Sequence, residues 1–328
     1  MTVICSRAPL RISLGGGGTD LPSFYREEGG FLVAGAIDKY VYLLTHTAFQ
    51  RRYRMKYSQF EEVDDAAEIR HPILREALTR HWRGTPLEIA SVADVPAGTG
   101  MGSSGSFGVA LLKGLAHARC SATTPRALAE AVCEIEIDVL GEPVGKQDPY
   151  VAAHGGICAY TFNPDGTVEV EPLELDPTTL RLLRERLLLF YTGESRAAST
   201  VLRDQDDRTR SGDREMVENL RRTKAMGRDS CELLLKGDLD GFAELMHEHW
   251  LNKRGRSAGM ASGRVDELYT LARRSGAIGG KLVGAGGGGF LLVYARNPSD
   301  TRQAMSAAGA PELTFDFEFK GASSTETP

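Results

Sequence analysis

The chain has 328 residues, 41% of them hydrophobic and 25% charged, ordinary values for a soluble protein and a length that favours two lobes over one core. Its formal charge of -5 gives no basic excess to hold nucleic acid or an anionic membrane, so neither is expected as a partner. The five cysteines (Cys5, Cys120, Cys133, Cys158, Cys231) are scattered and never spaced as a C-x-x-C pair, which speaks against a disulfide framework or a zinc site and fits a reducing cytoplasm. No signal-peptide core is read at the N-terminus, and no apolar run approaches the ~18 residues of a membrane span.

Residues 3–14 and 31–45 are rich in Val, Ile, Leu and Tyr, and predict strands on either side of a glycine-rich turn and a short helix. Another strand is expected around 85–95. It runs directly into PAGTGMGSSGSF and the small-residue, apolar GVALLKGLAHA, which read as strand, glycine loop and helix in succession. Thr124 and Pro125 supply an N-cap and a first-turn proline for a helix reaching about Leu140. From about residue 186 the character changes: RLLLFYTG predicts a strand, long helical patterns occupy roughly 213–250 and 262–275, and KLVGAGGGGFLLVYA is strand-like. The turn chemistry of LDPTT sets the boundary near 180–186, giving lobes 1–185 and 186–328 of a two-lobe α+β protein.

The chemistry-bearing segment is Pro96, Gly98, Gly100, Met101, Gly102, Ser103, Ser104, Gly105 and Ser106. It opens a helix, and its glycines let backbone N–H groups converge on an anion while the helix dipole adds positive potential. Phosphate is the natural ligand. No Lys-Ser or Lys-Thr follows the last glycine, so this is not a Walker A loop, and magnesium is the expected source of charge neutralisation. A lone glycine loop is as readily a plain connection; P-x-G-x-G-x-G-S-S is considerably more specific.

PAGTGMGSSGSF resembles the second motif of the galactokinase, homoserine kinase, mevalonate kinase and phosphomevalonate kinase (GHMP) superfamily. APLRISLGGGGTDL (8–21) resembles the first and KLVGAGGGGFLL (281–292) the third, with Gly284, Gly286, Gly287 and Gly288 in its loop. The three occur in the family's order and span nearly the whole chain. The resemblance implies an N-terminal lobe with the nucleotide loop, a ferredoxin-like C-terminal lobe, and a substrate cleft between them.

In the helix from Pro125, the residues Leu128, Ala131, Val132, Ile135 and Val139 form one apolar face, and Glu136 borders it. A carboxylate there needs a cation or a donor. Read alone, it is either a magnesium ligand or an interfacial glutamate held by the backbone; the resemblance favours metal and pairs it with Ser104. The same resemblance makes Asp148 the aspartate presented to the substrate hydroxyl, although Asp148-Pro149 by itself reads as an N-cap and first-turn proline. Arg11 matches the basic residue of the first motif and would help hold the acceptor hydroxyl beside Asp148. Asp20 matches the aspartate that holds sugar hydroxyls in galactokinases. Where galactokinases carry Glu-His, this chain has Gly17-Gly18, which leaves space and speaks for a bulkier or differently oriented sugar.

His247 and His249 lie two apart on a predicted helix, face different directions, and read as core or cap residues. HPILREAL (71–78), HEHWLNKR (247–254) and GGKLVGAGGGGF together resemble the D-glycero-D-manno-heptose 7-phosphate kinase branch. Arg196, Lys253 and Arg254 are basic residues of that branch's pattern, read equally as contacts to a sugar phosphate or as solvated surface. What the resemblance implies is phosphoryl transfer from ATP, with magnesium, to the anomeric hydroxyl of that heptose phosphate. A kinase of an unphosphorylated sugar such as a deoxyhexose, and a non-catalytic sugar- and nucleotide-binding regulator, stay open, as does a homo-oligomer.

Overall fold

The computed structural model describes residues 2–194, 198–256 and 262–327. The first predicted unit forms as read: strand β1 (Val3–Gly15), the glycine turn, helix α1 (Pro22–Glu28) and strand β2 (Gly30–Thr47), which returns antiparallel to β1. The short strands β3 (Tyr53–Lys56) and β4 (Phe60–Val63) pair as a hairpin. Helix α2 (Pro72–His81) follows, its first turn capped by the His71 ring nitrogen, which accepts the Leu74 N–H. Strand β5 (Leu87–Ala93) feeds the glycine loop and helix α3 (Ser103–Ala118).

Helix α4 (Pro125–Cys133) starts where the sequence predicts, with the Thr124 hydroxyl accepting the Ala127 N–H. It does not continue as an α-helix to Leu140. Residues Glu134–Val139 widen into a π-helical turn, closed by the Leu140 N–H on the Ile135 carbonyl at 3.0 Å, a departure that recurs at functional sites. The lobe is completed by α5 (Gln147–His154), β6 (Ile157–Phe162), β7 (Val168–Pro172) and α6 (Pro177–Arg186). At 18 residues, β2 serves two partners on one edge: Gly30–Gly35 pair with β6, and Val41–Thr47 with β5. Helix α3 covers β1 and β2 and is flanked by α2, α4 and α5. Only Ser104 is exposed, with Ser103, Lys113, His117 and Ala118 half-buried and the rest of the helix buried, which fits its small, apolar sequence.

The second lobe runs β8 (Leu187–Tyr191), α7 (Ala198–Arg210), α8 (Arg214–Lys236), α9 (Leu239–Arg254), α10 (Gly263–Arg274), β9 (Ala277–Leu282), β10 (Phe290–Ala295) and α11 (Pro298–Ala307). The antiparallel sheet has the order β8-β10-β9. Residues 311–313 run beside β8, with the Tyr191 N–H on the Pro311 carbonyl at 2.9 Å and the Leu313 N–H on the Leu189 carbonyl at 2.8 Å. This is the β-α-β-β-α-β, ferredoxin-like arrangement that the resemblance implies.

The expected 186–328 lobe does not keep its C-terminal end. Phe317 bridges to Ile37, and the last strand, β11 (Ser323–Thr327), pairs with β1, so the first sheet is finished by the end of the chain. Helix α8 packs on β1 and β2 from the second lobe, and the cleft opens between the lobes. Among the described residues, no helix is long and apolar enough to cross a membrane.

Candidate active site

The glycine loop reaches α3 through Gly98, Gly100 and Gly102, at φ +79°, +80° and +77°, with Gly102 as the left-handed residue before the first helical turn. The N–H groups of that turn have no intrahelical acceptors and face the loop. Two neighbours lock the loop. The Arg11 N–H bonds the Met101 carbonyl at 3.1 Å and Arg11 Nη1 bonds the Gly100 carbonyl at 2.5 Å. On the other side a Cβ on Gly284 would lie 2.5 Å from Gly100 Cα, so the third-motif loop lies backbone on backbone against the second. The three motifs therefore meet at one cleft. Not every loop residue faces it: Met101 is in the core, and the buried Ser106 hydroxyl donates to the Pro9 carbonyl at 2.7 Å. Of the third-motif glycines, Gly284 lines the cleft, whereas Gly288 abuts the Glu194 backbone.

Beside the start of α3 lies an apolar hollow lined by Val41, Tyr57, His71, Val92, Ser103 and Phe107. The His71 ring stacks on Phe107 and meets Tyr57 edge-on, both at 4.9 Å between centroids. Burial pushes the His71 pKa down, which favours a neutral, aromatic surface. HPILREAL marks the start of α2, but nothing local in it shows that His71 faces the glycine loop.

Asp148 sits at the second residue of α5, two past the cap position, which Lys146 holds. Its carboxylate accepts from Arg11 Nε at 2.7 Å, and Arg11 is buried in β1 rather than exposed at a strand edge. Helix α3 touches this residue directly, since a Cβ on Gly105 would lie 2.8 Å from Asp148 Cβ. Glu136, on the π turn, is 4% exposed and accepts the Ser104 hydroxyl at 2.5 Å. Burial raises its pKa to about 7 and the Ser104 hydrogen bond offsets this only in part. No cation pairs with Glu136 and the buried Ser103 hydroxyl has no partner among the described residues. A buried carboxylate and a hydroxyl at a phosphate-type loop, with no third acidic, Cys or His group clustered among the described residues, fit magnesium. That ion takes one or two protein oxygens and fills its shell with phosphate and water.

The second half of the cleft departs most from expectation. Asp20 is buried and accepts N–H groups of Gly18 (3.2 Å) and Gln147 (3.0 Å). Gly17 and Gly18 line the cleft but do not leave it empty. A Cβ on Gly18 would lie 2.7 Å from Arg256 Nη1 and 3.3 Å from Gln205 Oε1, because side chains from the second lobe fill the room. Lys253 is buried on the cleft, donating to the carbonyls of Leu282 (3.0 Å) and Gly284 (2.5 Å). Arg254 is not on the cleft: it points outward and pairs with Asp266 at 3.0 Å. Arg196 lies outside the described residues. His249, read as core or cap, lines the cleft and accepts the Gly16 N–H at 3.1 Å, while His247 meets the Tyr269 hydroxyl at 2.6 Å. Arg256 and Lys281, neither singled out in sequence, also line it. His249 and Lys253 lie at i and i+4 on α9, a pairing that helical counting could have found, and Arg256 follows in the turn two residues past the end of the helix.

Known proteins match the chain along its length. A family model described as GHMP kinases N terminal domain matches residues 69–156, and one described as GHMP kinases C terminal matches 231–311, together about half of the chain. A D-glycero-alpha-D-manno-heptose 7-phosphate kinase of Campylobacter jejuni is 26% identical over 307 residues, 90% of each chain. A bifunctional fucokinase/GDP-fucose pyrophosphorylase of Arabidopsis thaliana is 26% identical over 90% of this chain, which spans 30% of that longer protein. The crystal structure of a D-glycero-D-manno-heptose 1-phosphate kinase from Bacteroides thetaiotaomicron superposes with a TM-score of 0.82 at 23% identity, covering 99% of both chains. With both domains matched in order along one chain, the protein belongs to the GHMP kinase family.

Proposed function

We propose that the protein is an ATP-dependent sugar kinase whose acceptor is D-glycero-D-manno-heptose 7-phosphate, phosphorylated on the anomeric hydroxyl to the 1,7-bisphosphate. The observation that carries the reading is the position of Asp148. Its carboxylate, oriented by Arg11, stands between the N-terminus of α3 and a cleft lined by Lys253, Arg256 and Lys281. The acceptor oxygen attacks the γ-phosphorus, the bond to the bridging oxygen breaks, ADP leaves, and the hydroxyl proton passes to Asp148. The first-turn N–H groups of α3 hold the phosphates, and the hollow at His71 and Phe107 takes the base. Ser104 and Glu136 would hold magnesium, which neutralises phosphate charge when bound. Positioning and preorganised charge do most of the work.

The heptose 7-phosphate kinase relative, matched over 90% of both chains, supports the acceptor, and the cationic cleft supports a phosphorylated one. The fucokinase relative favours the second reading, a kinase of a free deoxyhexose. A regulator without turnover has no chemical need for Asp148, Arg11, Ser104 and Glu136 in these pairings. The test is ADP release across heptose 7-phosphates, free heptoses and deoxyhexoses, run on wild type and on Asp148→Asn. Heptose 7-phosphate should be the preferred acceptor, and the variant should lose ~10²-fold or more in kcat. Preference for a free deoxyhexose would replace the acceptor. No turnover with any sugar would refute the kinase reading, and an unimpaired variant the role of Asp148.

A further inference from the structure

Beyond Asp20, on the side of the cleft built by α9 and β9, three cations are buried together. Lys281 is 2% exposed, Arg256 3% and Lys253 5%. Lys253 is engaged by two carbonyls of the third-motif segment. Arg256 is fixed through Nε to Asn219 (2.8 Å) and Nη2 to Thr223 (2.5 Å), while among the described residues its Nη1 makes only a long contact of 3.3 Å to the Gly17 carbonyl. Lys281 Nζ has no hydrogen-bond partner among the described residues, although the side chain lines the cleft. His249 accepts at Nε2 from Gly16, so its neutral ring carries the proton on Nδ1, and that buried atom has no partner among the described residues either.

Facing this cluster, Asp20 has its oxygens engaged by backbone N–H groups. Burial, and then mutual repulsion with Arg256 and Arg11, pushes the Lys281 pKa down to about 7, and burial pushes Lys253 well down. Buried like charges without a counter-ion are costly. The protein supplies too few carboxylates on this side of the cleft, and the vacant donors of Lys281 and His249 are grouped where a multiply charged oxyanion would satisfy them together.

Building on the kinase reading, we infer that Lys281, the Arg256 guanidinium and His249 Nδ1–H form a subsite for a phosphate group on the acceptor. This subsite, and not Arg254, sets a preference for phosphorylated over free sugars. Lys253 holds the third-motif loop behind it and is a positioning residue.

The test uses the full chain with Lys281→Met, and with Lys281→Arg to restore the charge. The ratio of kcat/KM for the phosphorylated sugar to that for the free sugar should fall ~10-fold or more in Lys281→Met, the scale of one charge-assisted contact. It should recover in part in Lys281→Arg, with KM for ATP within about twofold of wild type in both. A second readout needs no turnover: inorganic phosphate should raise the Tm of the wild type and compete with the sugar phosphate, and both effects should weaken in Lys281→Met. An unchanged ratio, or a rise confined to the KM for ATP, would overturn the assignment, the latter giving Lys281 to the nucleotide. Should the wild type phosphorylate no sugar, the functional reading fails by itself. The phosphate titration then decides the subsite, with an unchanged Tm or an equal shift in wild type and Lys281→Met overturning it.

Discussion

Gly105→Ala tests whether the Asp148 carboxylate, proposed to take the acceptor proton, is placed by direct contact between two helices. An alanine Cβ at this position would lie 2.8 Å from Asp148 Cβ and 2.9 Å from Pro149 N and Cδ. Carbon atoms prefer separations of ~3.5–4 Å, so α3 and α5 must part by roughly 0.7 Å or more. None of the atoms met is the free end of a flexible side chain, so the backbone of α5 has to move. Overpacking of this kind costs ~1–3 kcal/mol, offset by up to ~1 kcal/mol because alanine favours a helix over glycine. The net loss of stability should therefore be modest, ~0–2 kcal/mol. The kinetic effect should be larger. Asp148 is held to Arg11 at 2.7 Å, and misplacing a reacting group by ~1 Å costs on the order of 10²-fold, so kcat should fall ~30- to 100-fold. Gly263→Ala is the control: it opens α10, and its Cβ would meet nothing within 4 Å. Steady-state ADP release and denaturant unfolding on both variants check the reasoning. A Gly105→Ala protein with wild-type kcat would show that this contact does not position the chemistry.

If Ser104 and Glu136 share one magnesium ion, each alanine variant should raise the magnesium concentration needed for half-maximal rate, and the double variant should lose less than the sum. Additive losses at an unchanged magnesium requirement would assign them separate structural roles. Lys281 makes a pH prediction, because its pKa falls from 10.5 to about 7 on folding. Between those values the unfolded chain binds more protons than the folded one, so stability of the ligand-free protein should rise from pH 7 toward 10 and be lost as pH falls through about 7. Chemical unfolding at several pH values should show a shallower rise in Lys281→Met; equal slopes would remove Lys281 as its source.

The elements that sequence pattern revealed are those whose own residues decide their conformation. Strands β1 and β2 carry long apolar, β-branched runs, and α4 announces itself by Thr124 and Pro125. Strands β3 and β4 are four residues each and charged. They are held in place partly by ion pairs such as Arg54 with Glu88 (3.0 Å) and Arg52 with Glu62 (2.8 Å), which join residues distant in sequence or across the hairpin. Strand β11, the polar SSTET, has no intrinsic reason to extend and does so because β1 offers it an open edge. The π turn was invisible for a similar reason. A 3.6-residue count carries Glu136 only to the border of the apolar face, and the extra residue in the turn brings it fully inside, onto Ser104.

The same division runs through the site. Glycine and proline declare the glycine loop locally, whereas the side of the cleft proposed for the acceptor is assembled from segments that meet only in the folded chain. Lys281 lies in an apolar strand segment, and nothing next to it in sequence indicates that β9 faces the glycine turn after β1. Gly17-Gly18 looked like added room because a missing side chain is visible in sequence, whereas the Arg256 and Gln205 that fill the room are more than 180 positions away. The pair Lys253-Arg254 shows what helical geometry decides. Consecutive residues point about 100° apart, so both could not enter one cleft. Lys253 shares its face with His249, with Arg256 joining them from the turn just past the helix, and Arg254, turned to the outer surface, takes Asp266. A cation's neighbours at i±3 and i±4, rather than its nearness to another cation, were the useful signal, and they converge with Lys281 on the subsite inferred for the acceptor phosphate.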